Sequence, residues 1–355
     1  MLFSCKPKTE TPVETTTVAE NTDTLRYEEE KHLANIRQLT FGGDNAEAYW
    51  SFDGNKLTFQ ATRKEWNASC DQIFMMDTRD KTDTTVIPQR ISPGAGRTTC
   101  SYFLPGDSLI LFASTHKANK DCPPEPERSV DGHYVWPIYE SFDIYFSDLK
   151  GDMMGKLVES PGYDAEATVS PKGDLIVFTS MRSGDPELYT MDIHGKNVKQ
   201  VTNGLGYDGG AFFSPDGTKL VFRASRPKTP EAIDLYKSLL AKNLVQPTEM
   251  ELFVCNVDGS DLKQITHLGK ANWAPYFLPS GDKIIFCSNH KSERGFPFNL
   301  YMIGVDGEGL EQITYDTDFD SFPMFSPDGK KIAFSSNRNN GETRSTNVFI
   351  ADWIN

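Results

Sequence analysis

Along the chain, one pattern of apolar and polar positions recurs six times. An aromatic or apolar residue is followed by a polar turn rich in Pro, Asp and Gly, then by an apolar run that closes on Phe nine positions later, as in Phe213-Ser-Pro-Asp-Gly-Thr-Lys-Leu-Val-Phe222. The other copies occupy 50–59, 103–112, 169–178, 277–286 and 325–334. Equal internal spacing in six copies marks an internal repeat, and the closing Phe residues stand 44 to 66 positions apart. That period suits a four-stranded unit carrying insertions in three of the copies.

Each copy holds three further strand-like runs, such as 72–77 or 187–192 and a short run ending at Thr202. Lys219-Leu-Val-Phe222 is apolar at consecutive positions, the pattern of a strand packed on both faces. Pro275 and Pro323 fall in first strands, where proline survives only at a sheet edge. The pattern therefore predicts an all-β chain: a six-bladed β-propeller of four-stranded blades, with the first strand of each blade innermost along the channel. After Phe334 only the run 347–352 remains, so the last blade lacks its outer strand. The run 36–40 precedes the first copy and supplies it, so that the N-terminal strand closes the last blade and leaves no open edge.

The consensus Pro-x-Phe-Ser-Pro-Asp-Gly-Lys-Lys-Ile-Ala-Phe-Ser-Ser-x-Arg is nearly complete in 208–226 and 320–338 and recognisable from 36 to 352. It resembles the WD40-like (PD40) repeat of TolB-like propellers. The resemblance implies the fold and constrains function little. Similar propellers serve as periplasmic interaction hubs, as gating domains of prolyl-oligopeptidase-like peptidases and as metal-dependent lyases of acidic oligosaccharides. Neither TolB's additional N-terminal domain nor the Gly-x-Ser-x-Gly hydrolase elbow of the peptidases has a counterpart in these residues.

The first thirty residues differ in composition. Positions 6–24 are largely Thr, Glu, Pro and Val without an aromatic, too polar to build a core, so 1–30 is expected to be a disordered tether ahead of a propeller spanning 31–355. Leu2-Phe3-Ser4-Cys5 resembles the end of a bacterial lipoprotein signal, which implies lipidation of Cys5. The residues behind it, Lys6-Pro7-Lys8, lack the acidic cluster of exported lipoproteins and point to a periplasm-facing protein. Mean hydropathy is −0.47 and no run of about 18 apolar residues exists, so membrane contact is expected only through that lipid anchor. Lys and Arg number 36 against 50 Asp and Glu, a net charge of −14, which excludes a nucleic-acid partner. The expected partner is a protein or glycan of the cell envelope, bound by a monomer.

Strands alternate in direction, so loops entering the first strand and leaving the second share one face. Both large insertions, 117–140 and 227–250, fall there and mark it as the working face. The second contains Pro230 to Leu240, with helical apolar spacing and a Thr229 cap. Five positions before each turn's aromatic stand Asn45, Thr98, Asp164, Asp208, Asn272 and Asp320; four after each closing Phe stand Arg63, His116, Arg182, Arg226, His290 and Arg338. With Glu47 and Glu166 two positions further in, these rings predict either a polar funnel for a cation, sugar or peptide end, or Arg–Asp pairs that cap blade ends.

The six His show no zinc spacing and no cofactor is expected; a metal shared by His116, His290 and the ring carboxylates is the alternative. Gly106-Asp107-Ser108-Leu109 copies the opening of a lipolytic signature, but on a turn that leads into a strand rather than a helix. Cys70, Cys100 and Cys122 fall on the insertion-bearing face, where an oxidising compartment would bridge two of them. Cys100–Cys122 is expected, since these share a blade and a face, with Cys70–Cys122 the second choice. No catalytic residue is assigned. The leading function is non-catalytic binding of a protein or glycan at the channel mouth, and the alternative is a metal-assisted lyase or hydrolase acting on an acidic oligosaccharide in the same funnel.

Overall fold

The computed structural model describes residues 23–79, 86–127, 129–130, 132–293, 295–341 and 343–355. Cys5 and residues 1–22 of the expected tether lie outside them. Among the described residues the chain forms six four-stranded antiparallel blades. The innermost strands are Asp44–Trp50, Thr98–Phe103, Asp164–Val169, Asp208–Phe213, Asn272–Phe277 and Asp320–Phe325. Pro275 and Pro323 lie on two of them, at sheet edges where no ladder partner needs their missing N–H.

The repeat's polar turn has a chemical reason for its composition. Ser214 Oγ bonds Asp216 at 2.6 Å and accepts the Lys219 amide at 2.9 Å, while Gly217 supplies the left-handed φ of +70° that closes the turn. Beyond it, each closing Phe is fully buried opposite an aromatic of the third strand: Phe74, Tyr145, Tyr189, Phe253, Tyr301 and Phe349. Six such pairs fill the middle of the blades, and each buried Phe contributes roughly 2–3 kcal/mol.

Ring closure follows the predicted route, with a longer strand. Leu33–Gln38 pairs antiparallel with Asn347–Trp353 as the outer strand of the sixth blade, and the Leu39 amide continues the ladder to Val348 O at 2.8 Å. Residues 23–30, assigned to the tether on composition, pack against that same blade. Glu30 is fully buried and accepts hydrogen bonds from Arg338 at 3.0 and 3.1 Å, while Tyr27 donates to Asp316 at 2.8 Å. Ion pairing lets this polar segment order itself where apolar content alone would not.

The insertions fold on one another. Trp136–Pro137 of the first pairs antiparallel with Leu244–Val245 of the second. The helix Pro230–Leu240, capped by Thr229 Oγ1 accepting the Ala232 amide at 3.2 Å, buries Leu239 against Val135 and Leu244. Tyr236 of this helix donates to Asp185 in the third blade. Blades 2 and 4 thus reach across blade 3 to cover the channel mouth.

Candidate functional site

In all six innermost strands the pairing slips two positions in, leaving a β-bulge. The residue there is left-handed in every case: Glu47, Cys100, Glu166, Gly210, Ala274 and Phe322, with φ between +47° and +61°. Five are not glycine, and each such conformation costs on the order of 1 kcal/mol. All six line one cavity of about 330 Å³. The bulges turn a position that would lie in the blade plane toward the channel axis.

Below, the channel is plugged. Tyr49 stacks on Phe212 at 6.0 Å, and their neighbours Tyr102 and Tyr276 sit 5.8 and 5.1 Å away. This aromatic layer separates the cavity from a second one of about 340 Å³ on the turn face, where Pro171, Pro215, Pro279 and Pro327 converge. Above, Trp136 and Val245 from the two insertions form the roof.

The cavity's charge centre is the Arg223–Glu166 ion pair. Glu166 Oε2 accepts from Tyr207 Oη at 2.5 Å, Thr179 Oγ1 at 2.9 Å and the Gly210 amide at 3.0 Å. Burial opposes its ionisation, but Arg223 and these donors outweigh burial and hold its carboxyl below the ordinary value. Two glycines make the pair sterically feasible: a Cβ on Gly210 would lie 2.1 Å from Arg223 Nη1, and one on Gly209 2.3 Å from Glu166 Oε2. The Arg223 guanidinium lies 5.5 Å from the Tyr207 ring centre and 5.8 Å from that of Trp136, and its buried Nε has no partner among the described residues.

Glu47 is held differently. Its Oε2 accepts from Cys100 Sγ at 3.1 Å and Tyr49 Oη at 3.2 Å, and its accessible surface faces the cavity. Burial raises its carboxyl pKa, with Cys100 and the charge of Arg223 offsetting part of the rise. Burial also pushes the Cys100 thiol well up, so it is a poor nucleophile.

The two sequence-predicted rings do not form a funnel. Asp164 pairs with Arg182 at 3.2 Å, Asp208 with Arg226 at 3.0 Å and Asp320 with Arg338 at 2.9 Å, each carboxylate fully buried inside its own blade. Asn45 and Asn272 donate instead to backbone carbonyls such as Thr346 O and Met250 O. The second ring packs on blade aromatics: Arg63 over Trp66, Arg182 over Phe178 and Tyr189, Arg226 over Phe253, Arg338 over Phe334, and His116 and His290 tilted against Tyr145 and Tyr301. None of these lines the cavity, which takes only Glu47 and Glu166 from the predicted set. His116 and His290 each cap their own blade, and no group of three or more His, Cys, Asp and Glu among the described residues suits a metal, so the residues present do not fit the metal centre considered as the alternative.

The disulfide joins Cys70 and Cys122, with Cα atoms 6.0 Å apart, and Cys100 is free; the expected Cys100–Cys122 bridge is corrected. Cys100 occupies a bulge and faces the cavity, whereas Cys70 lies on the third strand of blade 1, within reach of the first insertion. Arg223 was missed by sequence reasoning although it carried a signal. It follows a closing Phe where the other copies have Gln60, Ala113, Thr179, Cys287 and Ser335, and it lies opposite Gly209 in the ladder.

Residues 137–234 match the family model described as the TolB beta propeller domain. The search of curated proteins returns no match. Among solved structures, a putative TolB from Agrobacterium tumefaciens superposes with a TM-score of 0.54 at 19% identity, over 88% of this chain and 91% of that one. TolB from Acinetobacter baumannii gives 0.51 at 18%, over 88% of this chain and 64% of its own. An oligogalacturonate lyase from Vibrio parahaemolyticus gives 0.50 at 10%, over 89% and 93%. At these identities the likeness is one of fold, and repeat, blade count and closure all agree with it: the chain carries a TolB-like six-bladed β-propeller.

Proposed function

We propose that the protein is a non-catalytic binding propeller of the bacterial cell envelope, which holds the end of a protein or glycan partner in the covered cavity. The observation that carries the reading is the ring of six left-handed bulges aimed at a space that two insertions roof over. Strain repeated at equivalent positions is retained where it shapes a site. A space of about 330 Å³ accepts one sugar ring or one long side chain, so the partner is gripped by a terminus or a protruding group. The Cys70–Cys122 disulfide supports an oxidising compartment, and lipidation of Cys5 would hold the propeller at a membrane surface as a monomer on a tether.

The charge of the cavity argues against turnover of an acidic oligosaccharide. Glu47, Glu166 and Asp71 face Arg97 and Arg223, and Arg223 already serves Glu166. Trp136 and Trp273 line the cavity and report its occupancy by fluorescence. Titration with defined envelope glycan fragments and peptides should quench or shift that emission, and chromatography should recover the ligand unchanged. Ala274→Leu fills the cavity from a position already left-handed and should abolish the response while the melting temperature holds. Unaltered binding by that variant would place the site elsewhere, and a cleaved product would favour the enzyme.

A further inference from the structure

Resting on that reading of the cavity, we infer that the group it admits is a protonated amine, held with Glu47 as its counter-ion. Glu166 is ion-paired to Arg223, and Asp71 lies 3.8 Å from Arg97 at the rim. Among the charged groups that line the cavity this leaves Glu47, which meets only the neutral donors Tyr49 and Cys100 through one oxygen. Its other oxygen, Oε1, has no hydrogen-bond partner among the described residues. A carboxylate removed from water without a cation is costly, and the raised pKa of Glu47 expresses that cost.

Three ligand classes would meet different environments. An anion would approach three carboxylates, and of the Arg223 donors it would find Nη2 engaged by Glu166 and Tyr207 and the buried Nε without a partner among the described residues, on a guanidinium whose charge Glu166 already balances. A neutral ring would leave Glu47 buried without a counter-charge. An ammonium group would neutralise it, donate to its open oxygen and face aromatic walls: Tyr49, Tyr163, Tyr207, Trp136 and Trp273 line the same space, the last two with ring centres 4.8 Å apart. Desolvated cations are attracted to the faces of such rings. The net charge of −14 also steers cations toward the protein at low salt. The ammonium can come from an amino sugar or from a lysine side chain.

One sugar ring in three charge states separates these cases. Calorimetry of the full-length protein at low salt, with glucosamine, glucose and glucuronate, should rank them in that order, with glucosamine at least tenfold tighter than glucose. Nα-acetyl-lysine amide supplies the second source of ammonium, and whichever amine binds more tightly assigns the partner to the glycan or the protein class. Glu47→Gln should erase the tenfold preference with the melting temperature unchanged or raised. Glucose or glucuronate binding as tightly as both amines would overturn the amine while leaving the cavity reading intact. A preference that survives Glu47→Gln would overturn the counter-ion, and no heat from any probe would sink both readings.

Discussion

An arginine that sits over an aromatic while its fork holds a carboxylate neutralises the acid, covers the ring and seals the blade end, and the sixth blade shows the arrangement at its most demanding. Arg338 is 4% exposed and neutralises both Glu30 and Asp320, each fully buried. Arg338→Met keeps the apolar cover and removes the charge, leaving two uncompensated carboxylates. Urea unfolding should show a loss of about 3–5 kcal/mol. Blade 3 meets blade 4 through two acids instead. Burial pushes Glu187 up to about 8, Thr202 opposes, and the nearby Asp208 adds to the rise; Asp208 itself is raised by burial against Arg226. The corresponding contact between blades 4 and 5 is Glu251 with Asn272, at 3.2 Å, which needs no shared proton. Because the folded pKa of Glu187 lies above its unfolded value, its stabilising contribution is complete below about pH 4.5 and is lost as pH rises through about 8. Melts between pH 5 and 9 should therefore show Glu187→Gln gaining on the parent protein as pH increases, with the gap levelling off above pH 8.

At the scale of elements, the bulge explains both what the sequence revealed and what it concealed. The turn-plus-run spacing survives in all six copies because it sets the strand pair, so blade count, edge prolines and closing strand were legible. A bulge leaves no residue type behind: Glu, Cys, Gly, Ala and Phe all occupy it. Only its constant offset from the ring of Asp and Asn betrayed it, which is why Glu47 and Glu166 were found and Cys100 was given to the wrong partner. Sharing a blade and a face is a weak criterion for a disulfide when one cysteine sits at a bulge and turns into the channel. Replacing both Cys70 and Cys122 by Ser reopens a loop of 52 residues, which in the chain-entropy model costs up to about 4 kcal/mol. The closing strand offers the sharper contrast. Deleting residues 1–22 should leave the thermal melt in place, whereas deleting 1–38 removes the outer strand of the sixth blade with Tyr27 and Glu30, exposes an unpaired edge and leaves Arg338 only Asp320 as a carboxylate partner. The longer truncation should melt lower by about 10 °C or more, several kcal/mol at the usual conversion for a chain of this size.

Across the whole molecule, the decisive contact joins segments more than a hundred residues apart. Insertions from blades 2 and 4 meet over blade 3 through two-residue strands, far too short to leave a period in the sequence, so their shared face was legible while their pairing was not. That pairing sets a cover of two residues from each insertion over the cavity, and parting it would widen a ligand's way in. The first insertion is fixed to blade 1 by Cys70–Cys122; the second is held by its helix through Tyr236 and Asp185. Two ladder pairs, the Ile138 amide on Asn243 O at 2.7 Å and a small apolar cluster then join two anchored arms, so opening is expected to be a local event rather than a global one. Cys100 reports it, because its thiol faces the cavity while Cys255 and Cys287 are buried in strands. Labelling of Cys100 by a thiol reagent, located by peptide mapping, should be slow at neutral pH and faster as the thiol ionises. In the variant Pro137→Cys, Leu244→Cys, where the two positions are opposed in the ladder, oxidation should lock the roof and slow Cys100 labelling at least tenfold, and reduction should restore it. Equal labelling in the locked and unlocked states would show that the cavity is reached by another path and that the insertions are not its gate.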